Sequence, residues 1–168
     1  MAPQKARSRS KVGQGQQQQL SEPDEGKMIK LAMQTLSEHY VMHRGRGRRA
    51  ARVLGHQLGT DLASSFVSSS DLFSVIEEFA KFWKENGIGD VAWHSKQDRK
   101  LVIHSYIATQ DEGEEGHPFE DKQMLCPFEE GLLEALLKKT LSEQISVKEI
   151  TCAGKQEADC VFKITRIE

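Results

Sequence analysis

The chain has 168 residues, 38% of them apolar and 29% charged, with a formal charge of −2. That length suits one domain of ordinary size, and no apolar run approaches the ~20 residues that span a bilayer, which excludes a helical membrane protein. The first 60 residues hold 11 basic and 4 acidic side chains and the remaining 108 hold 12 and 21, a basic front on an acidic body and not a general nucleic-acid binder.

Residues 1–26 carry Lys5, Arg7, Arg9 and Lys11, then a glutamine run and an acidic stretch with Pro23. So few apolar groups cannot offset the entropy of ordering, and the segment reads as a disordered tail before a single domain over 27–168. It has no apolar core of a secretory signal. Three cysteines, an odd number, argue for a reducing, cytoplasmic setting over a disulfide framework.

A first helix is predicted from Lys27 to His43, with Met28, Leu31, Ala32, Leu36 and Tyr40 as its apolar stripe. Gly45 and Gly47 break it. Ala50, Val53, Leu54, Leu58 and Leu62 begin a second helix whose Gly55 and Gly59, four apart, invite close approach of another backbone. Arg44, Arg46, Arg48, Arg49 and Arg52 before it form either an anion site or a solvated face. No aromatic residue is interleaved among them for base stacking. The third helix is predicted after a cap at Ser69 or Ser70 and ends at Gly87, and its apolar face is Leu72, Phe73, Val75, Ile76, Phe79, Phe82 and Trp83.

The period then changes to two. Val91 and Trp93, then Leu101, Ile103, Ser105 and Ile107, mark a hairpin. Residues 111–121 read as an exposed acidic loop without the residue order of a calcium loop. A fourth helix follows from Cys126, with Phe128, Leu132, Leu133, Leu136, Leu137 and Leu141 buried, and strands over 145–152 and 159–167 close the chain. The result is an α+β domain: N-terminal helices packed on a mainly antiparallel sheet, a late helix and a C-terminal hairpin.

All three cysteines fall near the end. Cys152 and Cys160 oppose each other across the last hairpin, and Cys126 opens the helix before it. Three thiols suit a soft cation, and tetrahedral zinc takes a fourth ligand, with Glu149, His104 and His117 as rivals. Glu149 and Cys152 stand three apart, so on a regular strand they point to opposite faces; their convergence requires a bulge. Buried cysteine without metal is the other reading.

The strings Cys126-Pro127-Phe128-Glu129-Glu130-Gly131-Leu132-Leu133, Val147-Lys148-Glu149-Ile150-Thr151-Cys152, Gly154 and Asp159-Cys160-Val161-Phe162-Lys163-Ile164 make Gly89–Ile167 resemble the 4-vinyl-reductase-like small-molecule-binding domain. That family shares a fold with haem nitric-oxide-binding domains and transport protein particle subunits. Its phenol-sensing members hold zinc with three cysteines and a glutamate, so the resemblance places a structural zinc on Cys126, Glu149, Cys152 and Cys160, pinning the hairpin to the helix. It implies a cavity between helices and sheet for a small hydrocarbon-like or aromatic ligand, with walls expected from Phe73, Phe79, Trp83, Trp93, Tyr106 and Phe128 and a polar anchor from His104 or His94.

Two functions follow: a free-standing small-molecule-binding and sensing domain, or a dimeric scaffold resembling the trafficking subunits. A homodimer and a possible protein partner fit either. The chain carries no nucleotide-binding fingerprint. With all three thiols on zinc, none remains as a nucleophile, so no enzyme activity is expected.

Overall fold

A computed structural model of the chain describes residues 24–39, 47–66, 71–106, 118–151 and 160–168. The elements run α1 (Glu25–His39), α2 (Gly47–Leu62), a 3-10 turn at Ala63–Ser65, α3 (Leu72–Glu85), β1 (Gly89–Ser95), β2 (Lys100–Ser105), α4 (Pro118–Leu141), β3 (Ile145–Thr151) and β4 (Cys160–Arg166). Residues 1–23 of the expected 1–26 tail, the end of the first helix and Ser69 and Ser70 lie outside the described residues; the last residues of that tail are helical, with Glu25 and Gly26 opening α1.

The sheet has the order β1-β2-β4-β3, all antiparallel, so the two hairpins join through β2 and β4. Alternation sends Leu101, Ile103, Cys160, Phe162, Ile164, Ile145 and Val147 into the core. Lys148, Lys163 and His104, at the other parity, are exposed on the opposite face. The helices therefore cover one face, giving the two-layer α+β arrangement that the patterning predicts.

The third helix follows its aromatic period, with Val75, Ile76, Phe79 and Trp83 buried. Its cap is Asp71 and not a serine: the carboxylate accepts from the Phe73 and Ser74 amides at 3.3 and 3.0 Å. Aspartate at this position satisfies two amides that the helix itself leaves without acceptors. The Ser74 hydroxyl and amide hold this carboxyl below its ordinary range. Asp71→Ala is expected to lower Tm and Asp71→Asn to restore most of the loss, as read by circular dichroism at pH 7. After Asn86, Gly87 takes φ +63°, the left-handed stop that its spacing predicts.

Three expectations are corrected. In α1 the buried residues are Ile29 and Met33, whereas Met28 and Leu31 are 40% and 64% exposed. Apolar residues run most of the way round this helix, so periodicity does not choose its inner face. In α2 the core side is Ala51, Gly55, Gly59 and Leu62, while Val53 and Leu54 turn outward. Finally, α4 begins at Pro118, so part of the expected acidic loop is helical and Pro127 lies inside the helix. Proline at the first helical position, as at Pro118, lacks only an amide that a helix start leaves unpaired anyway.

Candidate ligand and metal site

Helix α4 is the hub of the fold, and its contact with α2 is made by glycines. A Cβ on Gly55 would stand 2.0 Å from the Phe128 carbonyl oxygen, one on Gly59 2.2 Å from that of Leu132, and one on Gly131 2.2 Å from that of Arg52. All three obstacles are backbone atoms, so only glycine permits this approach. The close crossing of α2 also carries Arg48 and Arg52 to the end of the sheet.

There an ion-pair network joins three elements. Arg52 donates to Glu130 and to Glu134, the latter at 2.8 Å, and Lys138 donates to Glu134 at 2.8 Å. The same two carboxylates accept backbone amides of β3: Glu134 from Val147 at 3.1 Å and Glu130 from Glu149 at 3.0 Å. Burial alone would raise the Glu134 pKa, but the Lys138 and Val147 hydrogen bonds and the Arg52 and Lys138 charges outweigh it and hold the carboxyl low. Arg48 reaches Glu149 Oε2 at 3.4 Å. Two of the five arginines of the candidate anion patch are thus engaged with the chain's own carboxylates; Arg44 and Arg46 lie outside the described residues. Glu134 is a residue that the sequence reading passes over. Its signal is the 130, 134, 138 spacing of charged residues in a leucine-rich helix.

The cysteines converge in part. Cys126 Sγ and Cys160 Sγ are 3.1 Å apart and buried. The helix places Cys126 over the first residue of β4, where Cys160 pairs with Ile103. The ladder shifts register between Glu149 and Thr151, the place where a convergence of Glu149 with Cys152 would need a bulge; Cys152 itself lies outside the described residues, as does His117. His104 belongs to the sheet's outer, exposed face, away from Cys160. Among the described residues no three His, Cys, Asp or Glu side chains form a metal-binding group. Two buried thiols suit zinc in kind, and zinc–sulfur bonds of about 2.3 Å put two tetrahedral thiolates about 3.8 Å apart. Zinc would therefore spread this pair and draw Glu149 from Arg48.

The expected cavity wall is set in three places. Phe79 and Trp83 pack with ring centroids 4.9 Å apart, fully buried in the same core as Phe128. Phe73, 36% exposed, meets Trp93 at 5.0 Å near the surface, with Lys96 5.7 Å above the Phe73 ring. His104 and Tyr106 meet at 6.1 Å on the far side of the sheet, where the Tyr106 hydroxyl donates to Asp90 and Lys84 pairs with the same carboxylate at 3.2 Å. His94 is exposed. The first two groups lie between helices and sheet, Trp93 sharing the face of its pairing partner Leu101, and His104 and Tyr106 lie behind the sheet. The Trp83 indole nitrogen is buried without a hydrogen-bond partner, as is that of Trp93, a feature for which the sequence carries no signal. A separate open cleft of about 590 Å³ is lined by Asp24, Glu25, Gly26, Ser64, Ser65, Phe82 and Asn86.

No family model matches the chain. An uncharacterized protein of Methanocaldococcus jannaschii is 26% identical over 113 residues, covering 66% of this chain and 60% of the relative's own length. Among solved structures, subunit 3 of a trafficking protein particle complex from Naegleria fowleri, covalently bound to palmitic acid, aligns with TM-score 0.53 and 17% identity over 85% of this chain and 95% of that one. A vinyl-4-reductase family protein of Methanocaldococcus jannaschii gives TM-score 0.45 and 15% identity over 84% and 81%. The phenol-responsive sensory domain of the transcription activator PoxR, with phenol, gives 0.47 and 16% over 84% and 74%. The likeness to the trafficking subunit shows the fold. That subunit belongs to one of the groups whose shared α+β fold the sequence resemblance implies.

Proposed function

We propose that the chain is a non-enzymatic, cytoplasmic small-molecule-binding and sensing domain whose ligand is an apolar or aromatic molecule carrying an oxygen acceptor. The observation that supports this reading is the Trp83 indole N–H, buried beside Phe79 and without a hydrogen-bond partner. A buried donor left unpaired costs about 1–3 kcal/mol, and a ligand hydroxyl or carboxylate lodged against the Phe79–Trp83 wall would satisfy it. The phenol of the sensory domain and the palmitic acid of the trafficking subunit both have such an oxygen. Phenol titration followed by tryptophan fluorescence is expected to give a saturable change, with affinity about tenfold weaker in Trp83→Phe, the equivalent of one hydrogen bond. An unchanged spectrum and native mass with both phenol and palmitate would reject a ligand of this class.

In this reading a structural zinc on Cys126, Glu149, Cys152 and Cys160 ties β3 and β4 to α4 and supplies no chemistry beyond holding them. About one zinc per chain, lost in Cys152→Ser together with a lower Tm, is the expected result of elemental analysis and calorimetry. Absence of zinc from protein purified without chelator would remove this part of the proposal.

A second reading, a dimeric scaffold, is favoured by the outward Met28 and Leu31 of α1 and Val53 and Leu54 of α2. It predicts a dimer by light scattering that persists when phenol and palmitate are absent.

A further inference from the structure

We propose that Cys126 and Cys160 form a reversible dithiol–disulfide pair, so that oxidation fastens α4 to β4 by a covalent bond when the metal is lost. The reading shares its residues with the zinc site proposed above, and the experiment below separates the two. Its basis is distance. The sulfurs stand 3.1 Å apart, about 0.7 Å closer than two thiolates around one tetrahedral zinc and about 1 Å from a disulfide bond length. The pair therefore stands between the zinc spacing and the covalent one, within a small movement of either.

The partners are also suitably fixed. Cys126 is in α4 beside fully buried Phe128, and Cys160 is held in the ladder by its pairing with Ile103, so neither thiol leaves its place without disturbing a main element. Cys160 is 8% exposed and Cys126 not at all, which sets the order of events. Cys160 attacks a small disulfide, releasing one small thiol and forming a mixed disulfide. Cys126 then attacks the Cys160 sulfur and releases the second small thiol. The two protein thiols lose two hydrogens and two electrons, and the small disulfide gains both as two thiols.

The bond would close a loop over the whole of β3 and most of α4. The consequence is a domain whose hairpin stays attached to its hub helix in either redox state, by metal when reduced and by sulfur when oxidised.

The test uses the full chain stripped of metal, oxidised with glutathione disulfide, and read by intact mass, thiol count after denaturation and peptide mapping, with metal content measured in parallel. The expected product lacks two of the three thiols, carries no glutathione, links Cys126 to Cys160 and is restored by dithiothreitol. Cys152→Ser gives the same link. The proposal is overturned by three retained thiols, by a glutathione adduct that stays on Cys160, or by a link through Cys152. Zinc in the purified protein without the link after stripping leaves the metal reading and removes this one; the link without zinc does the reverse.

Discussion

Gly59→Ala is expected to destabilise the protein by about 2–4 kcal/mol, although alanine is the better helix former. The propensity gain is about 1 kcal/mol. Against it, the new methyl would stand 2.2 Å from the Leu132 carbonyl oxygen and 2.9 Å from Leu132 Cα. Overpacking ordinarily costs about 1–3 kcal/mol by forcing side chains off their rotamers. Here the neighbour is helix backbone, which has no rotamer to change, so α2 and α4 must separate along a contact that also includes Gly55 and Gly131. For a chain of this length each kcal/mol shifts Tm by roughly 2–4 °C, so a fall of about 4–16 °C is expected in calorimetry. Val53→Ala on the outward face serves as the control and stays within about 0.5 kcal/mol. A Gly59→Ala protein as stable as the parent would show that the two helices do not cross at this distance.

Glu134→Ala is expected to cost about 2–4 kcal/mol, because one side chain closes three contacts. Removing it leaves the Val147 amide without its acceptor, and Arg52 and Lys138 without a shared carboxylate. An orphaned buried donor and a broken, partly buried ion pair set that range; the lower end reflects that Lys138 and Arg52 are 31% and 43% exposed. Glu134→Gln keeps an acceptor for Val147 and is expected to lose about half as much. The sign with pH follows from the depressed carboxyl. Its stabilisation is fully present above the ordinary value of 4.5 and is lost as pH falls through the lower folded-state value. Urea unfolding of the parent is therefore expected to weaken below pH 4.5, with a flatter profile for Glu134→Gln. Equal slopes in the two proteins would place the acid sensitivity elsewhere.

What is legible in the sequence depends on whether a residue's partners share its own element. The buried face of α3 shows in its aromatic period, and Leu101 and Ile103 show in strand alternation, because both patterns are local. A register shift does lie between Glu149 and Thr151, where a convergence of Glu149 and Cys152 would need one; Cys152 itself lies outside the described residues. The α2 face is legible in part: Gly55 and Gly59, four apart, mark the close approach of another backbone that the structure has, but glycine carries no hydropathy, so Val53 and Leu54 look like part of the inner stripe although they turn outward. The start of α4 is hidden because Pro127 reads as a first-turn residue. The Arg52–Glu134 pair spans 82 positions, and nothing in either segment announces the other. For the cavity, residue type suggests aromatic walls, but the alternation that buries Leu101 and Ile103 already assigns the even positions of this strand to the other face. That parity puts His104 and Tyr106 behind the sheet.

The carboxylates of Glu130 and Glu134 have one more effect through the amides they hold. Val147 and Glu149 lie in β3, the last strand of the sheet, and their amides point away from β4, where a further strand would pair. With both already donating to α4, an added chain would have to evict two carboxylates and strand the cations that they neutralise. The sheet is thereby sealed on this flank against edge-to-edge aggregation, and the seal forms when α4 docks, so a refolding chain is most exposed to misassociation before that step.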